Sequence, residues 1–193
     1  MATKNQGKIR EMAKALENMP EVEIVSLSDV DGAIDEPVED GDSFQKNSLI
    51  KAEYYAKATG MACIADDSGL EVDALNGAPG VFSARFAGEN ATDEENNNKL
   101  VAELAARGIE GSDAAYRCVL TFVDTDGTVL QTQGMCRGEI CQKPKGEGGF
   151  GYDPYFYIGK KTMAELSLEI KQGISHRGEA MRKMAELLKE HLK

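Results

Sequence analysis

Residues 43–66, SFQKNSLIKAEYYAKATGMACIAD, decide how this chain is built. Residues 43–59 read as a helix, and Gly60 is its natural stop because glycine takes the left-handed conformation without steric cost. Residues 61–66 follow at once as a short apolar strand. A helix handing directly to a strand is the signature of interleaved elements, and the rest of the chain repeats it.

Upstream, Ile9, Met12, Ala13 and Leu16 recur at helical spacing on a segment that Pro20 closes, and 22–27 reads as a strand. Downstream, 71–75 reads as a further strand. Residues 116–123 and 128–135 pair as a hairpin through Asp126-Gly127. Thr92 and Glu95 have capping-box spacing before a run through Leu100, Val101 and Leu104 that Gly108 ends, and Thr162 and Glu165 repeat that spacing. A last helix starts near Ser175 and buries Met181, Met184, Ala185 and Leu188. The expected architecture is α/β, a mixed sheet covered by helices, with no internal repeat and no linker. Two glycine-rich stretches, 76–90 and 138–151, read as loops, either functional or simply solvated.

Composition removes whole classes of function. The 193 residues carry 22 basic and 33 acidic side chains, a net charge of −11, which repels a polynucleotide backbone. A small anion remains admissible where a local cation cluster reverses the field. No run of about 18 apolar residues spans a membrane, and the charged first twenty residues do not resemble an export signal. Cys63, Cys118, Cys136 and Cys141 lack CxxC spacing and read as inert thiols of a reducing cytoplasm. Only His176 and His191 are present, so a multi-histidine metal site is excluded.

Several segments carry chemistry. Thr3, Lys4, Asn5, Gln6, Gly7 and Lys8 stand before a helix, where unpaired N–H groups, glycine backbone and ammonium groups suit an anion; the Walker pattern is absent. Asp66-Asp67-Ser68-Gly69 closes the 61–66 strand. Taken alone this tetrapeptide reads as a turn. Adjacent strand residues face opposite ways, so the two aspartates are expected in different environments, one of them free to bind Mg²⁺ or take a proton from water. Seven carboxylates between 29 and 42 read as a solvated face that does not meet EF-hand spacing. Phe150, Gly151, Tyr152 and Asp153 put aromatics beside mobile backbone, suited either to stacking on a flat heterocycle or to core packing. Lys171, His176 and Arg177 place cations near a helix start, against the dipole, a local conflict that favours a task over stability. Neither a GxSxG elbow nor GxGxxG is present.

Together, residues 2–8 (ATKNQGK), 44–52 (FQKNSLIKA), 65–88 (ADDSGLEVDALNGAPGVFSARFAG), 149–154 (GFGYDP) and 174–178 (ISHRG) resemble the inosine/xanthosine triphosphate pyrophosphatase family, the non-canonical purine nucleoside triphosphate pyrophosphatases. The resemblance implies one catalytic domain over 1–193, an elongated α/β fold with two lobes around a central cleft, and a cytoplasmic homodimer. It implies Mg²⁺-dependent hydrolysis of ITP, dITP and XTP to the monophosphate and pyrophosphate. It further implies Asp67 as general base and metal ligand with Ser68 beside the substrate, and Thr3, Asn5, Lys8 and Lys51 on the phosphates. Phe150–Asp153 match the base-pocket loop, and Lys171, His176 and Arg177 match contacts to the base end. Glu39, rather than Glu36 or Asp40, matches a second metal ligand. Two positions depart from the family pattern. Only Met1 and Ala2 precede Thr3, where members have a short apolar strand, and Lys46 stands where members carry Glu.

Overall fold

Ser43 and Gly60 bracket the first long helix of the molecule. In the computed structural model, which describes residues 3, 6–17, 19, 22–30 and 34–193, the Ser43 side chain accepts from Lys46 N–H and Gly60 turns left-handed at φ +68. The described helices are α1 (Gln6–Ala15), α2 (Phe44–Thr59), α3 (Asp93–Ala106), α4 (Leu168–Ile174) and α5 (His176–His191). The strands are β1 (Cys63–Val72), β2 (Gly111–Val123), β3 (Val129–Cys141), β4 (Phe156–Ile158) and β5 (Lys161–Thr162), ordered β1-β2-β3-β4-β5 in one antiparallel sheet. The α/β architecture is the one expected, and the full capping box of Thr92 and Glu95 opens α3 as the spacing predicts.

Four expectations change. Asp66 to Gly69 make no turn: β1 runs straight through them, because Ala65, Leu70 and Val72 are fully buried and Leu70 N–H is held by Ser83 Oγ at 2.9 Å. Turn propensity yields to burial of apolar neighbours on both sides of it. The strand expected at 71–75 stops at Val72, since Asn76 at φ 54 and Gly77 at φ 84 curl Asp73–Leu75 into a 3₁₀ turn. Residues 22–26 form no regular strand, as no described strand pairs with them, and Leu27–Asp29 is a 3₁₀ turn. The two glycine-rich stretches are also partly ordered, with a 3₁₀ turn over Gly80–Arg85 and with residues 138–141 inside β3.

The chain folds as two compact units. The first comprises Met1–Asp67, Cys118–Gly134 and His176–Lys193. In its core Met12, Leu16 and Met19 pack with Cys118, Leu120 and Phe122 of β2 and with Met181, Met184 and Leu188 of α5. A second cluster joins Ala52 and Tyr55 of α2 to Cys63, Ala65 and Val123. Gly134 lets β3 meet the start of α5: a Cβ there would strike the His176 carbonyl and come within 2.7 Å of Ala180 N. Thr132 Oγ1 donates to Ala180 O at 2.9 Å beside it, so the first turn of α5 is fixed on the strand. The second unit, Ser68–Arg117 and Met135–Ser175, gathers Leu70, Val72, Leu100, Leu104, Tyr116, Ile140, Phe156 and Met163.

Candidate active site

Because β1 is continuous, its alternation sends Asp66 and Asp67 to different partners. Asp66, only 3% exposed, receives Lys8 Nζ of α1 at 3.1 and 3.0 Å on its two oxygens. Arg177 of α5 reaches Asp66 Oδ2 through Nη2 at 3.3 Å and Nε at 3.4 Å. Burial works against the Asp66 charge, yet Lys8, Arg177 and Lys51 outweigh it and hold this carboxyl well below the usual range. Arg177, in the first turn of α5, thus answers to a buried anion, which resolves its conflict with the helix dipole.

Asp67 has the opposite balance. Its Oδ1 accepts from Lys51 Nζ of α2 at 2.9 Å, and the same ammonium donates to Glu39 Oε2 at 3.0 Å. Burial pushes the Asp67 pKa up; Lys51 pulls against it, while Glu39 and Asp66 add to the rise. For Lys51, burial lowers the pKa, but the charges of Asp67, Asp66 and Glu39 prevail and raise it. Asp67 Oδ2 is buried and has no hydrogen-bond partner among the described residues. A buried lone pair left open on a carboxylate that resists ionisation suits a group poised to receive a proton or a ligand.

Glu39 lies on an irregular segment held by α2. Asn47, fully buried, accepts Gly41 N–H on Oδ1 at 2.9 Å, and a Cβ on Gly41 would sit 2.5 Å from that oxygen. Lys46, where the family pattern has Glu, is exposed and pairs with Asp42 at 2.9 Å, so it takes no part in this cluster.

The glycine-rich loop of the second unit has its own arrangement. Asp153 Oδ2 accepts from Lys171 Nζ at 2.8 Å and from Phe150 N–H at 3.0 Å, and Lys171 Nζ lies 5.2 Å from the Phe150 ring centre. Asp153 and Lys171 are both buried. Tyr152 turns into the core with Phe156 and Met163 and donates its hydroxyl to Ser83 O at 2.7 Å, taking the packing role of the two readings open to it.

Of the residues expected from sequence, Lys8, Lys51, Asp67, Glu39 and Arg177 therefore come together in the first unit, and Phe150, Asp153 and Lys171 in the second. Arg177, expected at the base end, shares Asp66 with Lys8 of the phosphate set. His176 is buried at the first position of α5, Ser68 follows Asp67 along β1, and Thr3 is half-buried. Gln6 and Gly7 begin α1, with side chains outside the described set; Lys4 and Asn5 lie outside the described residues. The sequence reading missed Asp66 as the anchor of two cations and Asn47 as the holder of the Glu39 segment. An asparagine inside a helix flanked by Phe44 and Ala52 was the available signal for the latter. Among the thiols, burial pushes Cys118 up to about 12 and raises Cys141 as well.

Cations from three helices seated on strand carboxylates, with one acid oxygen left open, are the equipment of an α/β enzyme that handles phosphate esters. The chain belongs to the Ham1 family, which its sequence matches over residues 1–187. A dITP/XTP pyrophosphatase of Geobacter sulfurreducens is 47% identical, the match covering 100% of this chain and 94% of that protein. One from Bacillus anthracis is 45% identical over 98% of this chain and 95% of that one. Among solved structures, a HAM1 protein from Coxiella burnetii superposes with a TM-score of 0.87 at 39% identity, covering 98% and 96% of the two chains. The nucleoside-triphosphatase/dITP/XTP pyrophosphatase of Mycobacterium abscessus gives 0.73 at 42%, covering 97% of each.

Proposed function

We propose that this chain, as a single catalytic domain, hydrolyses the non-canonical purine nucleotides ITP, dITP and XTP to the monophosphate plus pyrophosphate, removing them from the nucleotide pool. The observation that carries the reading is the open Oδ2 of Asp67 beside the Lys51 ammonium. The relatives' activity supports it.

Among the described residues the cations Lys8, Lys51 and Arg177 are balanced by Asp66, Asp67 and Glu39. A triphosphate bearing about four negative charges therefore calls for further positive charge, and a divalent ion supplies it. The donor set fits Mg²⁺: Asp67 and Glu39 offer hard carboxylate oxygens that already converge on one ammonium. An ion held by two carboxylates takes its other ligands from water and phosphate. When bound, Mg²⁺ supplies charge neutralisation on the phosphate oxygens.

The protein's own residues do the rest. Lys8 and Lys51 grip phosphate oxygens, and Asp67 orients and deprotonates the water that attacks the α-phosphorus, so the α–β anhydride bond breaks and pyrophosphate leaves. In the second unit Phe150 offers a face for the purine, and Lys171 can only donate. Hypoxanthine and xanthine present an oxygen at C6, whereas adenine presents an amino donor, so adenine sets donor against donor. Sites built on such pairing reject the wrong group by roughly 10⁴-fold. The reading also takes the enzyme to be a cytoplasmic homodimer, which light scattering and fractionation examine.

Turnover of ITP, XTP, ATP and GTP, with and without EDTA, tests the proposal. ITP and XTP are expected to be preferred and the chelator to abolish the rate; equal rates for all four would defeat it. Asp67→Asn should keep nucleotide binding and lower kcat by roughly 10²- to 10⁴-fold, the contribution of a general base.

A further inference from the structure

The loop carrying Phe150 is held at one peptide by two side chains of α3. Gly151 N–H donates to Asp93 Oδ2 at 2.6 Å, and Gly151 O accepts from Asn97 Nδ2 at 3.0 Å. Asp93 and Asn97 are four residues apart, hence on one face of the helix. The capping box of Thr92 and Glu95 fixes the turn on which Asp93 sits. Phe150 lies between Gly149 at φ +78 and Gly151 at φ +63, both in the left-handed region. A side chain at 149 would collide with the Asp153 carboxylate. With its neighbours so permissive, Phe150 owes its direction to what grips them: Asp153 on its own N–H and α3 on the next residue. The grip is kept at a cost, since Asn97 is buried at 7% exposure and its Oδ1 has no partner among the described residues. A leucine there would pack without that penalty, so the amide answers to Gly151.

We infer that Asp93 and Asn97 are positioning residues for base recognition: by clamping both polar atoms of Gly151 they set the Phe150 ring on which a purine stacks. The inference rests on the proposed pyrophosphatase function. Releasing the clamp lets the ring sample other directions while leaving Asp66, Asp67 and Lys51 as they are. Binding of the base then weakens and the chemical step does not.

The experiment measures kcat and KM for ITP and ATP in Asp93→Ala, Asp93→Asn and Asn97→Ala. Asp93→Ala and Asn97→Ala are expected to raise KM for ITP by roughly tenfold or more, with kcat within about twofold, and to narrow the preference for ITP over ATP. Asp93→Asn keeps an acceptor oxygen and should recover most of the loss. Unchanged KM and selectivity in both alanine variants would overturn the inference, as would loss confined to kcat. Hydrogen exchange of the Gly151 amide separates this idea from the functional reading. Protection that falls at least tenfold in Asp93→Ala supports the clamp even if wild type fails to hydrolyse ITP, a failure that would count against the proposed function alone. Equal exchange in the two proteins would sink the clamp whatever the activity.

Discussion

The two units fix their candidate residues by different physics. In the first, charged side chains rest on regular elements: Asp66 and Asp67 on β1, Lys51 on α2, Lys8 on α1, Arg177 on α5. They are held by ion pairs that are buried or partly buried, where removing one charge is costly. In the second, an aromatic residue rides on a loop, and neutral or singly charged hydrogen bonds to backbone atoms aim it. The contrast suits the tasks. Phosphate handling demands charges that do not move as charge develops, whereas a planar base is met by a face whose direction is set locally. The cost of disturbing each unit should differ accordingly.

The largest stability effect is expected at Asp66. Replacing it with Asn removes the buried carboxylate charge on which Arg177, 2% exposed, and Lys8 both converge, and should cost about 3–5 kcal/mol in denaturant unfolding of metal-free protein at pH 7. The pH dependence has a definite sign. The folded pKa of Asp66 is lowered, so its stabilising contribution is present above the ordinary value of 3.8 and is lost as pH falls through the folded value. The gap between wild type and Asp66→Asn should stay constant from neutral pH down to about 5 and close on further acidification. Asp67, whose pKa is raised, binds its proton more tightly when folded, so its ionisation removes stability as pH rises past 3.8. Asp67→Asn should therefore cost far less stability than Asp66→Asn, although its effect on turnover is the larger. Similar stability losses for the two variants would erase the distinction between anchor and base.

Neighbouring aspartates with opposite roles also mark where sequence was and was not legible. The helix limits at Ser43, Gly60, Thr92 and Glu95 were readable because their signals are local: a side chain accepting an N–H three residues on, a glycine at a helix end. That the two aspartates differ followed from strand alternation. That β1 continues through Asp-Asp-Ser-Gly did not, since the decisive contacts come from Ser83 Oγ and from apolar burial beyond the tetrapeptide. Asp66 as the meeting point of Lys8 and Arg177 joins residues 58 and 111 positions away. Asp93 and Asn97 find Gly151 across 58 and 54 positions. Such pairings are products of topology. Only Asn96-Asn97-Asn98, an unusual run within a helix, hinted that α3 does more than pack.

A middle-sized effect is expected in the second unit at Tyr152. Tyr152→Phe keeps the ring in the core but removes the hydroxyl from Ser83 O, leaving a buried acceptor poorly satisfied, at about 1–3 kcal/mol. Thermal and denaturant melts should show this loss, smaller than that of Asp66→Asn. A loss as large as at the charged anchor would mean that neutral hydrogen bonds constrain this unit as strongly as ion pairs constrain the first.

The smallest change bears most directly on how the loop is aimed. Thr92→Ala removes the cap oxygen that accepts Glu95 N–H at 3.2 Å and should cost about 1 kcal/mol. The residue is five positions from Asn97 and adjacent to Asp93, yet it touches neither Gly151 nor Phe150 through any cap bond. Fraying of the first turn of α3 would nevertheless loosen Asp93, the residue on Gly151 N–H. A small rise in KM for ITP, in the same direction as Asp93→Ala and without a fall in kcat, is therefore the expected outcome. If stability falls as stated while KM stays at the wild-type value, the loop takes its direction from Asp153 and Lys171 alone. The second unit would then be fixed, like the first, by a buried ion pair.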